Sequence, residues 1–372
     1  MAIQIKELFK GFDLFKAKNN ILGIDIGSSS IKLVQLKKEK ERGILETYGE
    51  ISLGQYGNMN VGQAVRLPED KIIEALNDII KESNAKSRTA SVSIPLRSSF
   101  VTVIDLPNVP EGKLDEIVKT EARRYVPVAM SEVLLDWWLI PKSLEEKETI
   151  EKEEEKEEEK KNSKRILLVA IYKDTVNSYK EIFSKARIEI VSFEIEIFSM
   201  IRACAGRTNQ PVVVIDFGAL STKIVIVDYG IIRLSHSINK GSQDLTVMIS
   251  RSFGIDFSKA EEIKREIGLS SMPEYKELLS IMEPELDYIL AEINMIIKDY
   301  QKKYNRAVSK VIMIGGGSLL KGLTDFSVKR LNVEVNLANP FAKVEYPIFL
   351  NDVLKEVGAS FAISLGLAIR EL

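Results

Sequence analysis

Two turns of matching composition, set far apart in the chain, carry residue types suited to holding phosphate. ILGIDIGSSSIKLVQL begins at Ile21, VVVIDFGALSTKIVIV begins at Val212, and the two align without gaps about Asp25-x-Gly27 and Asp216-x-Gly218. Ile, Asp, Gly, Ser and Lys coincide in the pair. Glycine lets backbone N–H groups come close to an anion, and hydroxyl side chains add donors. Gly27, Ser28, Ser29 and Ser30 suit the first turn, and Gly218, Ala219, Ser221 and Thr222 the second. Asp25 and Asp216, if they face one cleft, repel each other unless a cation lies between them. A magnesium-bound polyphosphate meets all of these demands. A lone Asp-x-Gly turn would mean little, since Asp and Gly are ordinary turn residues; the repetition carries the weight.

A third segment adds to the pair. VIMIGGGSLLKGL, from Val311, is an apolar strand followed by Gly315, Gly316 and Gly317 and then a helix start. Glycines there let a nucleotide press against the backbone, and a helix N-terminus offers unpaired N–H groups and a favourable dipole. No G-x-G-x-x-G opens a helix after the first strand, and no G-x-x-x-x-G-K-[ST] occurs, which disfavours dehydrogenases and P-loop ATPases.

The elements that must position these turns follow from hydrophobic patterning. Each turn joins two apolar strands, so the chain has two related halves. Between them the pattern reads strand at Phe100 to Leu106, helix at Glu111 to Tyr125, strands at Val133 to Ile140 and Ile166 to Tyr172, helix at Asp174 to Ala186 and strand at Ile188 to Ile195. That β-α-β-β-α-β order predicts a compact inserted module. The run SLEEKETIEKEEEKEEEKKNSK, 143–164, has nothing to bury and reads as a lengthened, solvated hairpin tip. The expected division is an N-terminal segment 1–20, the start of the first lobe 21–96, the inserted subdomain 97–195, an interlobe helix 196–210, the second lobe 211–340 and a C-terminal segment 341–372.

Composition narrows the function classes. The chain has 372 residues, room for two or three domains, and 45% apolar with 28% charged residues is an ordinary globular balance. Lys and Arg number 52 against 54 Asp and Glu, so no net field draws in nucleic acid, and no nucleic-acid partner is expected. One cysteine, Cys204, excludes an internal disulfide, and the single His236 makes a histidine-rich metal site a poor reading. A cytoplasmic location is the natural expectation. Residues 1–19 place Ile5, Leu8, Phe9, Phe12 and Phe15 at helical spacing but lack a signal peptide's h-region. The uncharged stretch from Val357 to Ile369 is too short to span a membrane and reads as a buried helix. Trp137 and Trp138, adjacent on a strand, point to opposite faces, which would let one pack the module and the other anchor a partner.

Two phosphate-binding hairpins on related halves, with a strand followed by three glycines, resemble the superfamily of actin, sugar kinases and heat-shock chaperone ATPases. Within it the chain resembles the PilM family of type IV pilus assembly, itself similar to FtsA. The segments that carry the resemblance are LGIDIGSSSIKLVQL from Leu22, LPNVPEGKLDEIVKTEARRYVP from Leu106, Glu132-Val133 and Asp136, and FEIEIFSMIRA from Phe193. GSQDLT from Gly241, KAEEIKREIG from Lys259, GGGSLLKGL from Gly315, VEVNLANPF from Val333 and SFAISLGLAIRE from Ser360 continue it.

The resemblance implies an α/β actin-like ATPase fold, with two lobes around a nucleotide cleft and an inserted FtsA/SHS2-like subdomain. It implies ATP and Mg2+ as ligands. Asp25 and Asp216 would lie near the metal, and Ser28 to Ser30 and Gly218 to Ser221 near phosphates, with Lys32 supporting the first turn. Glu261 would reach the ribose, Lys264 would lie beside adenine, Gly315, Gly316 and Gly317 would contact the adenosine, and Gly241 would be a further nucleotide contact. For Glu261 and Lys264 the plain alternative is an exposed pair three apart on a helix. Glu196 matches the position of a water-activating Glu in chaperone-type relatives. The family's Glu-Pro is here Glu196-Ile197, and its Gly-Gly is Lys240-Gly241, so slow or no hydrolysis is expected.

The function so implied is a scaffold of the pilus inner-membrane platform. It would bind the cytoplasmic tail of a PilN-like membrane protein in a groove between the first lobe and the inserted subdomain. Other platform proteins and self-association are further expected contacts, with the chain peripheral to the inner membrane through its partners. The alternative is an FtsA-like, membrane-associated cell-division or filament-forming ATPase, which needs an amphipathic anchor; the chain ends at Leu372 right after a buried-looking helix, leaving residues 1–19 as the substitute. A sugar kinase or chaperone ATPase would need a substrate-side carboxylate or a peptide-binding domain, and neither is visible.

Overall fold

Long apolar, β-branched runs form strands buried on both faces, and two such sets build the frame of the protein. The computed structural model describes residues 20–40, 42–106, 111–140, 164–206 and 208–372. The amphipathic segment 1–19 and the charged run 143–163 lie outside the described residues.

In the first lobe, β1 (Asn20–Ile26) turns back as β2 (Ser30–Glu39), and β3 (Arg42–Ser52) continues antiparallel. Helix α1 (Glu69–Glu82) then leads to β4 (Thr89–Ile94), parallel to β1. The chain departs through β5 (Ser99–Leu106), α2 (Leu114–Ala122), β6 (Val133–Leu139), β7 (Lys164–Tyr172) and α3 (Lys173–Lys185), and returns as β8 (Glu189–Ile195). The lobe's sheet has the order β3-β2-β1-β4-β8.

Helix α4 (Glu196–Cys204) crosses to the second lobe, where β9 (Val212–Phe217), β10 (Thr222–Asp228) and β11 (Ile231–Ile238) repeat the antiparallel meander. Helices α5 (Ser242–Phe253), α6 (Phe257–Ile267) and α7 (Lys276–Tyr304) precede β12 (Lys310–Ile314), which runs parallel to β9. Helix α8 (Leu323–Leu331) and β13 (Glu334–Leu337) complete a sheet of order β11-β10-β9-β12-β13. The two sheets have the same topology, so the sequence repeat is a repeat of architecture. Finally α9 (Asn351–Val357) and α10 (Ala362–Arg370) return to the first lobe, where α10 packs on α4 and β1. All residues from Ala362 to Ala368 are buried, which makes the uncharged C-terminal stretch a core helix. Among the described residues no helix is long and apolar enough to cross a membrane.

The inserted module is smaller than its β-α-β-β-α-β order suggests. Its sheet is three-stranded, β5-β7-β6, with α2 on one face. The last strand, β8, pairs with β4 in the first lobe, and Val176, Ile182 and Phe183 of α3 join the first lobe's core. The reason is burial. Ser192 to Ile195 are buried in succession, so β8 needs cover on both faces, which a small sheet under one helix cannot provide. Trp137 and Trp138 do point to opposite faces, but both are half-buried. Trp137 packs on the α2 side, donating its Nε1–H to Asp115 at 2.9 Å, while Trp138 packs against the first-lobe core. Neither stands out as an exposed anchor. His236 is exposed on β11.

Candidate functional site

Both Asp-x-Gly turns close in the same way. Gly27 N–H donates to Ser30 O at 3.0 Å, and Gly218 N–H donates to Ser221 O at 3.0 Å. A Cβ on Gly27 would stand 3.1 Å from that Ser30 oxygen, and one on Gly218 only 2.9 Å from Ser221 O, so a side chain would crowd each turn. Across the hairpins Asp25 faces Lys32 and Asp216 faces Lys223. Each copy thus presents one carboxylate, one ammonium and a tight glycine turn at the same end of its sheet.

The turns open onto a single cleft of about 1220 Å³ between the lobes. It is lined by Asp25, Gly27, Ser28, Ser29, Ser30 and Lys32 from the first lobe and by Asp216, Gly218, Ala219 and Ser221 from the second. Glu196, Glu261, Lys264, Gly315, Gly316 and Gly317 line it too. Two expected residues do not. Thr222 is fully buried, its hydroxyl donating to Lys240 O at 2.8 Å. Gly241 lies packed under the second turn, where a Cβ would meet Ala219 O at 2.4 Å. Both support the turn from behind rather than face the cleft.

The electrostatics are organised by lysines. Lys223 Nζ donates to Asp216 Oδ2 at 2.8 Å and lies 3.0 Å from Glu196 Oε2. The other Glu196 oxygen accepts Leu96 N–H at 2.6 Å. Burial raises the pKa of Glu196 against the pull of Lys223, and although burial alone would lower Lys223, Asp216 and Glu196 raise it. Asp25 is also raised, chiefly by burial, against the hydrogen bond from Ser93 Oγ at 2.6 Å and the charges of Lys32 and Lys223. Lys32 Nζ donates to Ser30 Oγ at 2.7 Å and pairs with Glu50 at 2.9 Å. The repulsion expected between the carboxylates is therefore relieved in part by the protein's own ammonium groups. Among the described residues no three His, Cys, Asp or Glu side chains gather in a metal-holding cluster.

On the second-lobe wall, Glu261 and Lys264 are not an exposed helix pair. Lys264 is buried, with Nζ 2.7 Å from Glu261 Oε2, donating to Thr246 Oγ1 at 2.8 Å and Ser242 O at 3.0 Å. Thr246 donates in turn to Glu261 at 2.6 Å. Burial lowers the pKa of Lys264. Opposite, the triple glycine does not open an α-helix. It makes a short 3₁₀ turn, Gly316–Leu319, and α8 starts only at Leu323. Gly315 takes φ +89°, and a Cβ there would fall 2.3 Å from Asp216 Oδ1, so only glycine lets β12 end beside that carboxylate. The top of the cleft is bridged between the lobes: Ala64 N–H donates to Gln243 Oε1 at 2.6 Å, and Ser258 Oγ donates to Asn60 at 3.0 Å.

Sequence reasoning did not single out Lys223, Ser93, Glu50, Thr246 or Arg97, all in or against this cleft. For Lys223 the signal was present, since the repeat alignment pairs it with Lys32. Thr246 lay in the GSQDLT segment but without a role of its own, and for Ser93 there was no signal, because each meets its partner only through sheet pairing or helix packing.

Comparison with known proteins agrees with this architecture. The FtsA cell division protein of Streptococcus pneumoniae serotype 2 (strain D39) is 20% identical over 349 residues, 86% of this chain and 75% of that protein. A solved PilM-PilN type IV pilus biogenesis complex superposes with a TM-score of 0.77 at 23% identity, covering 96% of this chain and 99% of the other. MreB5 of Spiroplasma citri bound to ADP gives 0.52 at 10% identity, over 94% and 95% of the two chains. These likenesses place the fold among actin-like proteins. The family model for the type IV pilus assembly protein PilM matches residues 23–372, and with its duplicated lobes, paired turns and inserted subdomain the chain belongs to that family.

Proposed function

We propose that the cleft binds ATP with Mg2+ and that the nucleotide-braced protein is a scaffold of the type IV pilus platform, gripping the cytoplasmic tail of a PilN-like inner-membrane protein. The observation that carries the nucleotide reading is the pair of identically closed glycine turns facing one cleft. Their N–H groups and the hydroxyls of Ser28, Ser29 and Ser221 suit phosphates. Magnesium commonly uses one or two carboxylates, with waters and substrate phosphates completing its shell. Asp25 and Asp216 fit that donor set. Glu261 and Lys264 suit the ribose and base, and MreB5, a protein of this fold, is solved with ADP.

The scaffold reading draws on family membership and on the likeness to a PilM-PilN complex. A groove between the first lobe and the three-stranded subdomain is the site for the tail. An extended peptide there can use sheet edges and helix surfaces, and ATP alters it only through differential affinity for lobe arrangements. The protein is then peripheral to the inner membrane through its partner, on the cytoplasmic side, with other platform proteins and self-association as further contacts.

Calorimetry with a synthetic tail peptide of the PilN-like protein from the same genome, with and without Mg-ATP, tests both parts. One-to-one binding at micromolar affinity, about 8 kcal/mol, is expected. Failure of the peptide to bind in either state, with sedimenting filaments on ATP addition, would replace this reading with the FtsA-like one.

A further inference from the structure

The cations beside the two turns are already engaged inside the protein. Lys32 is held by Ser30 and Glu50, and Lys223 by Asp216 and Glu196. Arg97 lines the same cleft, is exposed, and makes no hydrogen bond or ion pair with any described residue. It sits in the 3₁₀ turn Leu96–Ser98, between two anchored neighbours. Leu96 N–H donates to Glu196 Oε1 at 2.6 Å, and Ser99 Oγ donates to Leu96 O at 2.9 Å. Through Leu96 this turn is tied to Glu196, which lines the cleft beside Asp216 and Lys223. The Tyr179 hydroxyl is raised by burial and then by Asp25 and Glu196, while Arg97 pulls it down.

A guanidinium presents several fixed donors matched to phosphate oxygens, and one not already consumed by a carboxylate keeps them for a ligand. We propose that Arg97 reads the terminal phosphate of the bound nucleotide and so makes the chain prefer a nucleoside triphosphate to a diphosphate. This rests on the nucleotide reading above. The placement has a structural consequence. Ser99, two residues on, is the first residue of β5, the strand by which the chain enters the inserted subdomain. A terminal phosphate on Arg97 pins that entry from the cleft side, and its loss frees it, which links nucleotide state to the subdomain that carries the partner groove.

The test is calorimetric titration of the full chain with Mg-ATP and Mg-ADP, for wild type, Arg97→Ala and Arg97→Lys, with circular dichroism melts to verify folding. Arg97→Ala should weaken ATP about tenfold, the scale of one charge-assisted contact, and leave ADP within about twofold. Arg97→Lys should keep part of the preference, since it retains the charge but not the fork. Equal losses for ATP and ADP, or no loss for either, would overturn the proposal while leaving nucleotide binding in place. If wild type binds neither nucleotide, the cleft reading fails and the role of Arg97 falls with it.

Discussion

Lys223 Nζ stands 3.0 Å from Glu196 Oε2, so a side chain of the second lobe neutralises the carboxylate that begins the interlobe helix. The same nitrogen holds Asp216 at 2.8 Å. Glu196 and Asp216 are both buried, and removing the ammonium they share leaves two charges without their common partner. Lys223→Ala should therefore destabilise the protein by about 3 kcal/mol, the lower end for a broken buried pair. Urea unfolding measures it. Adding Glu196→Gln to that variant should recover part of the loss, and strict additivity of the two changes would show that the residues are not coupled.

The same contact bears on hydrolysis. A general base needs a basic lone pair toward its water, and a positioned base contributes about 10²–10⁴ in rate. Each Glu196 oxygen already has a partner, one Leu96 N–H and the other the Lys223 ammonium, which draws off its basicity. Steady-state phosphate release should accordingly be slow, and Glu196→Gln should change it far less than removal of a base would. A drop of about a hundredfold would instead make Glu196 catalytic.

Glu261 governs an acid limb of stability. Burial alone would lift its carboxyl, but Lys264, Thr246 and Arg265 outweigh that and hold it below 4.5. The folded protein thus binds this proton less readily than the unfolded chain. Its contribution is present above 4.5 and is lost as the pH falls through the depressed folded value. Melting temperatures measured from neutral pH down to about pH 3 should fall less steeply for Glu261→Gln over that acid range than for wild type. Parallel curves would contradict the assignment.

Gly315→Ala should be costly for its size. The residue holds φ +89°, and the added Cβ would land 2.3 Å from Asp216 Oδ1. Strain of this kind is worth about 1–3 kcal/mol, and the displaced Asp216 should weaken Mg-ATP binding as well. For stability of the ligand-free protein Gly316→Ala is the internal control, since a Cβ there meets no protein atom within 4 Å. Equal losses of stability from the two substitutions would refute the steric argument.

Much of this protein was written locally in its sequence. The gapless repeat about Asp25 and Asp216 announced two related lobes, and the two sheets indeed share one strand order. Strand hairpins, glycine turns and the apolar C-terminal helix are short-range features, set by alternation, by turn chemistry and by unbroken hydrophobicity. Tertiary structure alone decided where those elements went. β8 follows the inserted module in sequence but joins the first lobe, because its consecutive buried residues need cover on both faces. Thr222 sits in the second turn yet faces Lys240 O instead of the cleft. Lys264, three residues from Glu261 on a helix, becomes buried only because α5 brings Ser242 and Thr246 over it. Lys223 meets Glu196 because the sheet of one lobe and the connecting helix converge on one point, and Arg97 reaches the cleft because Leu96 is tied to that same glutamate. Spacing along a chain specifies which residues share a face of one element, whereas which faces meet depends on the packing of all elements at once.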